Sequence, residues 1–173
     1  MEIHIRFATV HDISLILDFI HQKAEFDGCP NSVEATADRL QQTLFGESPL
    51  AYVLFAEVGD RPVGFLSFFQ TYSTFLARPG LWMDDLYVQP AMRDRGVGTA
   101  LMNKLVAIAE AQQCGRIEWT VDTSNANGIQ FYQKQNAQIK EDVRLCRLDR
   151  RTKADGKQHR AANLDAPRTQ RGG

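Results

Sequence analysis

The stretch Leu81–Thr99, LWMDDLYVQPAMRDRGVGT, decides how this chain is read. Leu81 to Val88 is a mostly apolar, strand-like run that stops at Gln89-Pro90, because proline has no N–H to give to a sheet. A basic turn with two glycines follows, Arg93-Asp94-Arg95-Gly96-Val97-Gly98. It runs straight into an amphipathic helical pattern with Val97, Leu101, Leu105 and Ile108 on one face. A strand, a glycine turn and a helix start in that order gather several unpaired N–H groups at one point, and the positive end of the helix dipole adds to them. Such a place suits a phosphate. Gly96 and Gly98 lack the side chains that would hold the backbone away from it. Arg93 and Arg95 bring charge in a form that fits phosphate oxygens.

Upstream, Ile3–Phe7 alternates as a first strand. Thr9-x-x-Asp12 reads as a capping box, and Ile13, Ile16, Leu17 and Ile20 repeat at helical spacing, so a first helix runs to about Phe26. Asp27-Gly28-Cys29-Pro30 breaks it, and Asn31-x-x-Glu34 is expected to open a second helix that ends near Gly46. Ala51–Val58 and Pro62–Phe69 are strands joined by a Gly59-Asp60 turn, and Thr71–Gly80 is expected to be a loop. Downstream, Gly115 is expected to end the long helix and Arg116–Val121 to be a strand. Asn125–Gln135 holds a short helix followed by Asn136, a residue that tolerates left-handed backbone. Short strands at Gln138–Lys140 and Val143–Leu148 complete the pattern. The order β-α-α-β-β-β-α-β-α-β-β predicts one α/β domain over residues 1–149. Its sheet is mixed and mostly antiparallel, of about seven strands, with helices on both faces.

The 173 residues are enough for one domain with a sizeable core. No apolar run reaches the ~20 residues of a membrane span, and the N-terminus lacks the basic start and apolar block of a signal peptide. Cys29, Cys114 and Cys146 are odd in number and widely spaced, which predicts reduced thiols in a cytoplasmic protein. His4, His11, His21 and His159 show no metal-ligand spacing, so no metal site is expected. The net charge of −1 hides an asymmetry: residues 1–149 hold 13 Lys/Arg against 19 Asp/Glu, and residues 150–173 hold 7 against 2. The acidic body tolerates a cationic small molecule and argues against nucleic acid. The basic, apolar-poor tail 150–173 is expected to be disordered.

The turn fits Arg-x-x-Gly-x-Gly, and Asn125-Ala126-Asn127-Gly128-Ile129-Gln130-Phe131-Tyr132 fits Asn-x-x-Ala-Ile-x-Phe-Tyr except at Gly128. With the element order, these motifs resemble the GNAT family of N-acetyltransferases. Lys23-Ala24-Glu25-Phe26-Asp27, Leu81–Val88 and Arg116-Ile117-Glu118-Trp119 are similar to its diamine (spermidine/spermine-like) branch. The resemblance covers about Ile3 to Leu148. It implies transfer of an acetyl group from acetyl-CoA, as co-substrate, to a primary amine of a small cationic substrate: a diamine, a polyamine or a lysine-like amino acid. It implies that the loop Arg93, Asp94, Arg95, Gly96, Val97, Gly98 and Thr99 cradles the diphosphate. The backbone of Leu86, Tyr87 and Val88 would pair with the pantetheine arm along an edge opened by a bulge and splayed strands. Asn125 and Gly128 would adjoin that arm, and Tyr132 would be the general acid near the sulfur. Asp84 would lie near the substrate amine, with Phe26, Asp27 and Glu118 around it. A homodimer is implied as well, and neither nucleic acid nor membrane is expected as a partner.

The residues suit that chemistry. Transfer from a thioester to an amine needs an anchored donor, a neutral amine, a stabilised oxygen and a proton for the leaving thiolate. Carboxylates hold a cationic amine. Strict alternation puts Asp84 on the side of Trp82 and Asp85 on the opposite face, where a structural bond or ion pair is expected. Some positions depart from the family. Asp94 stands where a glycine is usual and sets an acid beside the pyrophosphate. Gly128 and Asn127 replace an alanine and a proline and loosen the helix start. Glu141-Asp142-Val143 stands where relatives carry Glu-Trp near the substrate. Two other readings are a fold that binds acetyl-CoA without catalysis, and an acetyltransferase acting on a protein lysine or N-terminus.

Overall fold

The computed structural model describes residues 1–148. Alternating side chains in its central strands sort the core into two layers. In β2 (Tyr52–Val58) and β3 (Arg61–Ser73), Val53, Phe55 and Phe65 join one buried cluster, while Leu54, Ala56 and Leu66 join another. A sheet buried on both faces needs helices on both. Helix α1 (Ile13–Phe26) covers the first face with Ile16 and Phe19, and α2 (Ala37–Phe45) adds Leu40 and Leu44. Helix α3 (Val97–Ala111) covers the second with Val97, Leu101 and Leu105. Each large side chain so buried contributes roughly 1.5–3 kcal/mol. Among the described residues the sheet has five strands in the order β1-β2-β3-β4-β5, with β1 at His4–Phe7, β4 at Arg78–Val88 and β5 at Ile117–Glu118. All neighbours are antiparallel except β4 and β5, which are parallel. Helix α4 (Ala126–Lys134) follows. Residues Met1–Asn136 form one compact unit.

The α/β class with covered faces holds, and the strand count is corrected from about seven to five. Residues 138–140 and 143–148 are not strands; residues 141–142 form a turn and their neighbours have no regular structure. Alternation makes a segment amphipathic, but a strand also needs a partner edge, which the pattern does not supply. The stretch expected to be a loop at residues 71–80 mostly extends β3 and β4, leaving residues 74–77 as the hairpin tip with Ala77 left-handed at φ 49°. Helix α2 starts at Ala37 because Thr36, not Asn31, caps it, accepting the Arg39 N–H at 3.3 Å. The left-handed residue after α3 is Gln113, φ 57°, not Gly115. Gly115 is needed for space: a Cβ there would lie 2.7 Å from Leu76 Cδ1. Asn136 is left-handed as expected, φ 62°. The tail 150–173 lies outside the described residues. Among those described, no helix is long and apolar enough to cross a membrane.

Candidate functional site

The site begins with an irregularity in β4. Ser67 of β3 faces Asp85, but the next residue, Phe68, faces Met83, so Asp84 has no partner. This is a β-bulge, and it resets the alternation. Met83 belongs to the α3-side core, yet beyond the bulge it is Leu86 and Val88 that pack there, while Tyr87 joins the α1 side. Two adjacent acids interrupt the strand, and the buried positions on the α3 side switch from Leu81 and Met83 to Leu86 and Val88. Strand β5 pairs with β4 only at Leu81 and Trp82. From Met83 to Val88, the side of β4 away from β3 therefore has no strand partner among the described residues. Leu86, Tyr87 and Val88 lie along that open edge.

The edge leads into the glycine turn. Gly96 is left-handed at φ 84° and Asp94 at φ 58°, which is why glycine suits both places. Asp94, Arg95 and Gly96 are exposed. The first hydrogen bond of α3 runs from the Ala100 N–H to the Gly96 carbonyl, 2.9 Å. The N–H groups of Val97, Gly98 and Thr99 thus have no partner within the helix, and no side chain caps it. Three such amides at a positive helix end, with Arg95 beside them, are a donor set that fits a diphosphate. Arg93 is placed differently. Its Nε donates to the Val88 carbonyl at 3.0 Å, and its guanidinium carbon lies 4.5 Å above the Phe26 ring and 5.7 Å above that of Tyr87. It ties the turn to the end of α1. Gly98 has a packing role too, since a Cβ would meet Phe131 of α4 at 3.2 Å.

Helix α4 carries the second motif. Asn125 caps it, its Oδ1 accepting the Gly128 N–H at 2.9 Å. A Cβ at residue 128 would lie 2.6 Å from the Asn125 amide nitrogen, so a larger residue there requires the capping side chain to shift. Tyr132 packs against Trp119, ring centroids 5.0 Å apart, and against Phe131 at 5.3 Å. Burial, and then the charges of Asp85 and Asp27, push its phenol up to about 12. No hydrogen bond from another described residue engages its hydroxyl.

The acids fall into two groups. Asp85 is enclosed: its N–H donates to Ser67 Oγ at 3.1 Å, the Ser67 hydroxyl donates to its Oδ2 at 3.4 Å, and Lys23 Nζ lies 3.8 Å from Oδ1. Burial first, then the charge of Asp84, raise its carboxyl above the usual range against the opposing pull of Lys23 and Ser67. Asp27, at the end of α1, is bridged by the same Lys23. Lys23, Asp27 and Asp85 line one cavity of about 320 Å³, together with Ile20, Val33 and Glu34. Phe26, half exposed, stands beside it under Arg93. Asp84 is exposed at the bulge, and Glu118 on β5 is exposed and accepts from Arg116 Nε at 2.8 Å. Asp85 and Asp27 thus line one cavity with Lys23 between them, Tyr132 packs with Trp119 against the α3-side core, and Asp84 and Glu118 face solvent. Sequence reasoning gave Lys23 no role beyond its place in the Lys23–Asp27 motif and passed over Ser67; the one available signal was the spacing of Lys23 four residues before Asp27.

Comparison with known proteins agrees with this geometry. Residues 17–137 match the Acetyltransferase (GNAT) family. The chain is 28% identical to L-ornithine N5-acetyltransferase NATA1 of Arabidopsis thaliana, over 83% of each protein. It is 32% identical to a thialysine N-epsilon-acetyltransferase of Caenorhabditis elegans, over 68% of this chain and 71% of the relative. Among solved structures, an aminoglycoside acetyltransferase from an uncultured soil metagenomic sample superposes with a TM-score of 0.75 at 17% identity, covering 86% of this chain and 97% of the other, which supports the fold. The chain therefore belongs to the GNAT family of acetyltransferases, enzymes whose acetyl donor is acetyl-CoA.

Proposed function

We propose that the protein moves the acetyl group of acetyl-CoA to a primary amine of a small cationic substrate, with Tyr132 as general acid and with Asp85, in place of the neighbouring Asp84 that the family resemblance implies, as the amine-side residue. The observation that carries this is that Asp27 and Asp85, linked through Lys23, line one cavity beside the bulge that opens the edge of β4. The named relatives act on ornithine and thialysine, which fits an amine substrate.

Bound acetyl-CoA supplies an acetyl thioester at the open edge of β4. The exposed loop amides and Arg95 hold its diphosphate, and the backbone of Leu86–Val88 orients its arm. The substrate arrives as an ammonium, which Asp27 and Asp85 hold. Asp85 has a raised proton affinity, so it accepts the proton that the amine must lose before it attacks. Tyr132 keeps its proton through the neutral range and gives it to the departing sulfur.

Replacing Tyr132 by Phe tests this reading. The variant is expected to lose about 100-fold in kcat with CoA affinity kept within about twofold. Release of CoA thiol that depends on added amine is the readout. Wild-type protein that binds acetyl-CoA but releases no thiol across an amine panel would refute the proposal.

A further inference from the structure

Lys23 sits among the carboxylates assigned above to the substrate amine. Its ammonium bonds Asp27 and lies 3.8 Å from Asp85 Oδ1. A lysine on a helix surface usually sends its charge out to water along an extended stem. This one is only 20% exposed and lines the cavity that holds both acids. It therefore stands where an incoming ammonium would be held, and it offsets part of the negative charge that Asp27, Asp85 and Glu34 place there.

We propose that Lys23 is a specificity-determining residue, a resident ammonium that shares the Asp27–Asp85 pair and favours amines with one net positive charge and a carboxylate over diamines and polyamines. The inference rests on the amine-acetylation reading and deepens it. A diamine brings a second ammonium close to Lys23 and is repelled. A diamino acid brings a carboxylate, which Lys23 can pair once the substrate amine has taken its place beside Asp85. Two like charges a few ångströms apart in a partly enclosed cavity are enough for a discrimination of about tenfold.

Ornithine and 1,4-diaminobutane isolate the effect, since they share a carbon chain and differ by the carboxylate. The ratio of their kcat/KM values is measured for the wild type, Lys23→Gln and Lys23→Arg. In Lys23→Gln the ratio of ornithine to diamine is expected to fall about tenfold, chiefly through a lower KM for the diamine. That KM is also expected to depend more steeply on salt. Lys23→Arg, which keeps the charge, is expected to keep the ratio. If Lys23→Gln does not fold, Lys23→Met, which keeps the apolar stem, carries the same comparison. A ratio within twofold of wild type in the neutral variant overturns the proposal, as does an equal shift in Lys23→Arg. Wild-type protein that acetylates no amine at all is a different result: it removes the amine reading itself, and this inference with it.

Discussion

At the scale of single residues, the site is marked by groups whose hold on a proton is strengthened by burial. Tyr132 is kept neutral by burial and by nearby carboxylates, and Asp85 is pushed toward its protonated form by burial and by Asp84. The second shift has a consequence for stability. A carboxyl whose folded-state pKa is raised contributes stability that is fully present below its unfolded value and is lost as pH rises through the folded one. At neutral pH the ionised Asp85 is therefore a load on the fold, carried because the site uses it. Asp85→Asn is expected to raise Tm at pH 7 by a few degrees, with little gain at pH 4, while lowering kcat/KM by about 100-fold. Thermal melts at the two pH values and amine-dependent thiol release measure the two halves. A variant less stable at pH 7 than the wild type contradicts the burial argument, and one that stays active removes Asp85 from the chemistry. Asp84→Asn, one position away but exposed, is expected to change neither by much.

At the scale of elements, β4, the turn and α3 form one device, and how much of it the sequence disclosed differs along its length. The glycine turn and the helix were legible, because left-handed backbone demands particular residues and helical burial repeats at 3.6. The facing of the two acids was not. Alternation is a local rule, and a bulge is set by how β4 registers against β3, a separate strand that begins at Arg61. The shortness of β5 was hidden for the same reason: Arg116–Val121 has a strand's composition, yet only Ile117 and Glu118 find a partner. Asp94 shows the reverse case, an oddity plain in the sequence whose cause is structural. It holds a left-handed conformation that costs a residue with a Cβ about 1–2 kcal/mol, less for Asp than for most. Glycine removes that strain and loses some of the gain to chain entropy. Asp94→Gly is expected to stabilise the protein by about 0.5 kcal/mol. It is also expected to tighten CoA binding about two- to fivefold by removing a negative charge from the loop. Calorimetric titration with CoA at low and moderate salt checks this, and the gain in affinity should shrink as salt screens the charge. Unchanged affinity at low salt would mean that the diphosphate does not lie against this turn.

At the scale of the whole molecule, the sheet is paired on both sides at its centre and leaves part of β4 without a partner, the place proposed above for acetyl-CoA. Strands β2 and β3 are paired on both sides and packed on both faces, β1 forms one edge of the sheet, and β4 beyond Trp82 has one side with no strand partner among the described residues. An unpaired edge beside uncapped amides is a weak point in an otherwise layered domain. A ligand that fills it should therefore act as a missing strand and stabilise the fold by mass action. CoA at 100 times its dissociation constant is expected to add about 2.7 kcal/mol, or roughly 5–10 °C in Tm for a domain of this size. Hydrogen exchange locates that gain. Amides of residues 83–88 and 95–99 should become protected, while those of β1 and β2, already paired, should change little. The matched family region ends at residue 137 and the compact unit at Asn136, so we propose that the basic tail takes no part. A chain ending at residue 149 is then expected to show the same shift in Tm and the same protection. A tail-dependent shift would assign residues 150–173 to the CoA site, and protection spread evenly over the sheet would show that the bare edge of β4 is not where the nucleotide binds.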